Sequence, residues 1–354
     1  MDLESMTSTA RALVAPGKGI LAADESTPTI EKRFRAIGLE STEDRRRDYR
    51  EILFTTTGVD HYISGVILFD ETIRQQASDG TAFPALLAEH GLIPGIKVDR
   101  GTTPLAGFAD EVVTEGLDGL RARLAEYAAL GARFAKWRAV ISIGDRRPTV
   151  GCLEANAHPL ARYAALSQEA GLVPIVEPEV LMAGDHSIER CAEVTTAALR
   201  AVYDQLARQR VALEASLLKP NMVLAGKDHP RQPTDDEIAY ATITVLRNTV
   251  PSAVPGIVFL SGGQSDTDAT ARLDALNRRG PQPWQLSFSY GRALQAPVLK
   301  AWAGDNANRD AAQAAFLHRA AMNGAARHGS YNPGDDAISE PARTASSGGA
   351  LASA

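Results

Sequence analysis

The chain has 354 residues, 44% hydrophobic and 23% charged, the balance of an ordinary globular protein with one large or two average domains. Its 37 Lys and Arg against 43 Asp and Glu give a formal charge of −6, which argues against nucleic acid or an anionic membrane as partner, since both want a basic field. Two cysteines are too few for a disulfide framework, no basic-then-apolar leader opens the sequence, and no run reaches spanning length, so a cytoplasmic protein is expected.

Eight short runs of apolar, β-branched or aromatic residues punctuate the chain. The first, Gly19–Asp24, is preceded by Pro16-Gly17-Lys18; a glycine–lysine group ahead of a strand does not read as a P-loop. Glu43–Arg50 is charge-dense and reads as a solvated helix face, with Arg46 the one side chain considered for an anionic substrate. Gly65–Asp70 and Ile93–Asp99 follow as strands, then a helix from Gly119 that puts Leu120, Leu124, Tyr127 and Ala128 on one face and stops at Gly131. Phe134–Val140 and Val173–Glu179 are the next strand candidates, followed by a long helix over Ser187–Ala207. After Leu213–Lys219 comes a helix over Asp236–Leu246, with Thr234 as cap and acidic residues in its first turn. Gly256–Ser261 and Gln285–Tyr290 complete the eight.

Near-continuous hydrophobicity suits strands buried on both faces of a parallel sheet. Alternation with helices, at intervals of 28 to 46 residues, predicts an α/β fold: one (β/α)8 TIM barrel over residues 1–331. A doubly wound sheet would normally carry a Gly-rich fingerprint after its first strand, and Glu25-Ser-Thr-Pro-Thr29 stands there instead. Residues 332–354 are small and polar, and a flexible tail is expected because such a segment cannot offset its ordering entropy.

Barrel chemistry sits at the C-terminal ends of the strands. There the chain places Asp24, Asp70, Lys97, Lys136 with Arg138, Glu177 with Glu179, Lys219, and Arg292 just past the last run. Side chains alternate along a strand, so Lys136 and Arg138 share a face, as do Glu177 and Glu179. One or two such charges would be rim ion pairs; the whole set reads as a polar active-site mouth. Lysines crowded among cations and carboxylates point to imine chemistry on a carbonyl, with the carboxylates moving protons. The pattern does not single out which of Lys97, Lys136 and Lys219 forms the adduct. Ser261-Gly262-Gly263 and Ser289-Tyr-Gly291-Arg292, after the seventh and eighth runs, read as a phosphate site. The seven histidines show no metal-ligand spacing, and Cys152 and Cys191 read as packing residues.

At these residues the chain closely resembles the class I fructose-bisphosphate aldolases. The resemblance runs collinearly from about residue 10 to 331 through Ala15–Thr27, Gly65–Phe69, Phe134–Arg138 and Val173–Glu179, then Leu217–Val223 with its Leu-Leu-Lys-Pro-Asn, Phe259–Ser265 and Phe288–Gln295. It implies a (β/α)8 barrel and a metal-independent lyase of glycolysis and gluconeogenesis that cleaves fructose 1,6-bisphosphate without a cofactor. By the same resemblance Lys219 is the Schiff-base lysine, Glu177 the general acid/base with Glu179 beside the lysine, and Asp24 the carboxylate that helps deprotonate the C4 hydroxyl. Lys136 supports carbinolamine chemistry, with Arg138 beside it. Ser261, Gly262, Gly263, Ser289, Gly291 and Arg292 match the C1-phosphate pocket, and Ser26, Arg33 and Lys97 the other phosphate. A homotetramer is implied by animal members. Those members also end in a tyrosine that favours the bisphosphate; the last tyrosine here is Tyr331. Two departures stand out: Ala215 where the family has Gly, expected to tighten its strand, and Pro28 in the phosphate loop, which leaves the placing of Thr29 open. A Schiff-base lyase for another ketose phosphate, and a non-catalytic scaffold, are the rival readings; the joint presence of Lys219, Glu177 and Asp24 speaks against the scaffold.

Overall fold

The structure, a computed structural model, describes residues 2–337. Eight parallel strands close into a barrel: β1 (Gly19–Ala23), β2 (Ile63–Leu68), β3 (Ile93–Lys97), β6 (Phe134–Ile141), β7 (Val173–Val180), β8 (Leu217–Leu218), β9 (Gly256–Phe259) and β10 (Gln285–Tyr290), with β1 hydrogen-bonded to both β2 and β10. Helices connect them on the outside, the TIM barrel that the apolar runs predict. The expected helix starts hold. Thr234 and Glu237 form a reciprocal capping box, and the Ser187 side chain accepts from the backbone N–H of Arg190.

Two expectations for strands change. Leu213–Ala215 is a 3₁₀ turn, leaving β8 only two residues long, so Ala215 does not tighten a strand; it packs, fully buried, at the barrel base. Between β3 and β6 lies an additional antiparallel pair, β4 (Thr102–Pro104) and β5 (Val112–Thr114). Its first strand is wholly exposed and polar, so no apolar run announces it.

Period-two alternation builds the interior and the site together. Ile20 and Ala22, Ile67, Phe134, Val173 and Ile175, Leu217 and Val258 form one cluster with Met6, Ala10, Leu13 and Val14, so the N-terminal helix (Leu3–Leu13) closes the barrel from below. Their alternates, such as Leu21, Ala23, Ala135 and Trp137, belong to the larger cluster shared with the helix ring. Phe134 fills the interior because β3 offers Gly95 opposite it; a Cβ there would lie 2.3 Å from the ring. One inward step above this apolar plug, the same alternation delivers Asp24, Lys97, Lys136, Glu177 and Lys219.

The first residues of the expected tail are ordered against the barrel's helices. Pro333–Ala337 is a helical turn, and the Asp336 carboxylate accepts from Arg319 Nη1 at 2.5 Å and from the Tyr331 hydroxyl at 2.7 Å, with His318 Nε2 at 2.8 Å. Arg319 is buried, and a buried guanidinium needs a counter-charge, which a polar segment can supply without apolar surface. The remainder of the expected tail lies outside the described residues.

Candidate active site

A cavity of about 730 Å³ opens at the C-terminal ends of the strands. Its floor is a quartet of two ammonium groups and two carboxylates. Lys136 Nζ lies 2.6 Å from Asp24 Oδ2 and 3.1 Å from Glu177 Oε2, while Lys219 Nζ lies 3.3 Å from Glu177 Oε1. Glu177 therefore stands between the two lysines. Lys136, Glu177 and Lys219 are each about 3% exposed, so their charges answer chiefly to one another. Burial opposes ionisation of Asp24, but the ammonium groups of Lys136 and Lys219 outweigh it and hold the carboxyl well below the usual range. Burial likewise opposes protonation of Lys136, and Asp24, Glu177 and Asp99 reverse it, raising its pKa.

The other predicted residues divide. Lys97 lines the cavity and is held by Asp99, Nζ to Oδ1 at 2.7 Å and to the backbone carbonyl at 2.8 Å. Arg138 lines it too and binds the Glu179 carboxylate. Glu179 stands one inward step beyond Glu177, is engaged by Arg138, and is not among the residues of the cavity wall. Asp70 is a rim ion pair with Arg74 at 3.0 Å, and also accepts from the Tyr127 hydroxyl. Arg46 is held by both oxygens of Glu71 and does not line the cavity.

At one end of the cavity Ser261, Ser289, Gly291 and Arg292 converge. Gly291 precedes the helix Arg292–Trp302, whose free N–H groups open onto the cavity, a natural seat for a phosphate. The Ser289 hydroxyl is buried there with no partner of its own. Gly262 and Gly263, both with positive φ, shape the turn after Ser261 but do not line this cavity, so their contribution is to the turn rather than to its wall. Ser26, Thr29 and Arg33 line it too, and the Arg33 guanidinium reaches the Gly291 end, where a Cβ on that glycine would lie 3.8 Å from Nη2. Pro28 falls in the first turn of the helix Thr27–Arg35, where its missing N–H is harmless, and Thr29 Oγ1 sits 3.1 Å from Ser26 Oγ.

The sequence reading missed the carboxylates that hold this wall's cations, and Arg50 behind it. Glu25 joins Arg33 and Arg50, and Asp99 anchors Lys97. Asp99 was findable, since it shares a strand face with Lys97 two residues earlier. Arg50 was not: it sits in the stretch expected in solvent and is 2% exposed. Cys152 and Cys191 are buried free thiols. Among the described residues, no group of three or more His, Cys, Asp or Glu is arranged to hold a metal ion.

Fold and site together define a barrel with a buried lysine–carboxylate centre in a cavity lined by serine hydroxyls and arginines. The sequence profile of the fructose-bisphosphate aldolases of class I matches residues 5–347. A probable fructose-bisphosphate aldolase class 1 from Xanthomonas campestris is 57% identical over 332 residues, covering 94% of this chain and 99% of the relative. The cytosolic fructose-bisphosphate aldolase 4 of Arabidopsis thaliana is 54% identical over 92% of this chain and 83% of its own. Among solved structures, the Plasmodium falciparum fructose-bisphosphate aldolase, crystallised with TRAP and a small-molecule inhibitor, superposes with a TM-score of 0.92 at 49% identity, covering 93% of this chain and 96% of that one. The chain belongs to the class I fructose-bisphosphate aldolase family, a family of glycolytic lyases.

Proposed function

We propose that the protein reversibly cleaves fructose 1,6-bisphosphate into dihydroxyacetone phosphate and glyceraldehyde 3-phosphate through an imine on Lys219. The observation that carries this reading is Glu177 held between Lys219 and Lys136, with Asp24 on the far side of Lys136. In its neutral form the Lys219 amine attacks the C2 carbonyl, Glu177 supplies and removes the protons of carbinolamine formation and collapse, and water leaves. Asp24, kept ionised by its lysines, is suited to take the C4 hydroxyl proton. The C3–C4 bond then breaks, its electron pair passes into the protonated imine, and glyceraldehyde 3-phosphate departs. Protonation of the resulting enamine and hydrolysis release dihydroxyacetone phosphate and restore the amine.

The Gly291–Arg292 helix start and Ser261 and Ser289 would take the C1 phosphate, with Ser26 and Lys97 for the other; the resemblance puts Arg33 with that second set, while its guanidinium reaches the Gly291 end. Glycolysis and gluconeogenesis are the setting, and the reading needs no metal or organic cofactor. A homotetramer rests on the resemblance to animal members. A cytosolic location is supported by the Arabidopsis relative, and no helix among the described residues is long and apolar enough to cross a membrane.

Borohydride reduction in the presence of dihydroxyacetone phosphate tests the proposal. The adduct should map to Lys219, and Lys219→Met should abolish it and lower turnover by about 10⁴-fold or more. Near wild-type cleavage by that variant, or loss of wild-type activity in EDTA with rescue by zinc, would overturn it.

A further inference from the structure

Against the cavity wall, beside Asp24, lies a second charged group, two of whose members, Glu25 and Arg33, line the cavity. Glu25, next in sequence to Asp24, is 7% exposed and binds two guanidinium groups, those of Arg33 and Arg50. Arg33 reaches the cavity; Arg50, on the helix Glu43–Phe54, does not. Burial opposes ionisation of Glu25, and Arg50 followed by Arg33 more than reverses it, so the carboxylate is charged. Gln295 completes the group. Its amide donates to Glu25 Oε1 at 2.8 Å and to the Ala22 carbonyl at 2.7 Å, while its oxygen accepts from the Tyr49 hydroxyl at 3.0 Å. Because Gln295 belongs to the helix that opens at Arg292, this links the end of β1 to the phosphate seat at Gly291.

The charges do not cancel. One carboxylate faces two guanidinium groups, and a buried site of this kind places the surplus where solvent or ligand can reach it. Arg50 is 3% exposed at its side chain and Arg33 22%, so the surplus positive charge falls at Arg33, on the cavity wall. We infer that Arg50 is a positioning residue for substrate binding: by neutralising Glu25 from behind, it leaves the charge of Arg33 available to the substrate phosphate at the Gly291 end of the cavity. Without Arg50, Glu25 and Arg33 form a closed one-to-one pair, and Arg33 must break it to receive an anion.

The inference rests on the aldolase reading, and the experiment separates the two. Wild-type cleavage of fructose 1,6-bisphosphate and fructose 1-phosphate is measured first; no cleavage of either is a failure of that reading alone. Arg50→Met should then raise KM about tenfold for the bisphosphate and for fructose 1-phosphate alike, since both carry a phosphate for the Gly291 end that Arg33 reaches, with kcat within about twofold on each. Arg50→Lys keeps the charge and should stay within about threefold of wild type on both substrates. Glu25→Gln/Arg50→Met removes carboxylate and counter-charge together, a replacement that buried pairs tolerate, and should bring KM for the bisphosphate back to within about threefold. That recovery is the result a purely structural role would not give, and it decides the matter even where Arg50→Met alone does not fold. An unchanged KM in folded Arg50→Met, a loss carried by kcat rather than KM, or a double variant with KM still raised tenfold would each overturn the inference.

Discussion

Replacing Lys136 by Met tests the charge balance at the floor of the cavity. The wild-type quartet is neutral with every group ionised: Asp24 and Glu177 against Lys136 and Lys219. Methionine fills a similar volume but leaves two buried carboxylates facing one ammonium. Glu177 keeps Lys219 at 3.3 Å, whereas Asp24 loses its only ion-pair partner at 2.6 Å. Removing one partner from a buried pair costs about 3–5 kcal/mol. The pH dependence has a definite sign. In the wild type the pKa of Asp24 is depressed, so its contribution is complete above the unfolded value of about 3.9 and is lost only as pH falls through the lower folded value. In the variant, burial, the largest influence on Asp24, is opposed only by the more distant Lys219 and Lys97, so its pKa is expected to rise above the unfolded value. Its penalty then grows as pH climbs above about 3.9 and levels off once the folded group ionises. Urea unfolding of both proteins at pH 8 and pH 5 should show the full deficit at pH 8 and a deficit smaller by about 1 kcal/mol or more at pH 5. A loss below about 1 kcal/mol at pH 8, or equal deficits at the two pH values, would refute the reasoning.

Arg292→Ala should raise KM for the bisphosphate about tenfold or more, since a charge-assisted contact is worth about 1.5–3 kcal/mol; steady-state kinetics with unchanged KM and collapsed kcat would remove Arg292 from ground-state phosphate binding. Asp336→Ala should lower stability by about 1.5–3 kcal/mol because buried Arg319 loses its carboxylate, and an unchanged Tm would show that the 333–337 turn is not anchored there.

The barrel is legible in the sequence because eight strands buried on both faces must be apolar at nearly every position, and a charge among them is conspicuous. Lys136 in Phe-Ala-Lys-Trp-Arg and Glu177 in Val-Pro-Ile-Val-Glu are visible for that reason, and period two puts them on the inward face. What the sequence hides is partnership. Glu179 repeats the signal of Glu177, but Arg138 captures it. Gly262 and Gly263 look like an anion cradle, yet only their neighbour Ser261 reaches the cavity. Arg50 stands among exposed charges, and its burial depends on Glu25, 25 residues earlier, and on Gln295, 245 residues later. A charge-rich helix reads as solvated unless the tertiary counter-charge is known. The helical turn at Asp336 escaped for the same reason: one carboxylate meeting a buried guanidinium leaves no mark in composition.

Residue types alone leave three lysines eligible as the nucleophile, and the geometry separates them. Lys97 is tied to Asp99 by its ammonium and again by the backbone carbonyl. Lys136 bridges Asp24 and Glu177, so surrendering its proton would strand negative charge on two buried carboxylates at once. Lys219 faces one carboxylate oxygen, at the longest of the quartet's ion-pair distances. Its proton has a near acceptor in Glu177, and the imine it forms, once protonated, restores the positive charge opposite that same carboxylate. On the proposed reading, the arrangement would change least in charge with Lys219 as the nucleophile, while Lys136 would remain the fixed cation that keeps Asp24 ionised for the bond-breaking step. Both roles require Glu177 to sit between the lysines, which follows from its inward position on β7 beside β6 and β8 in the barrel order.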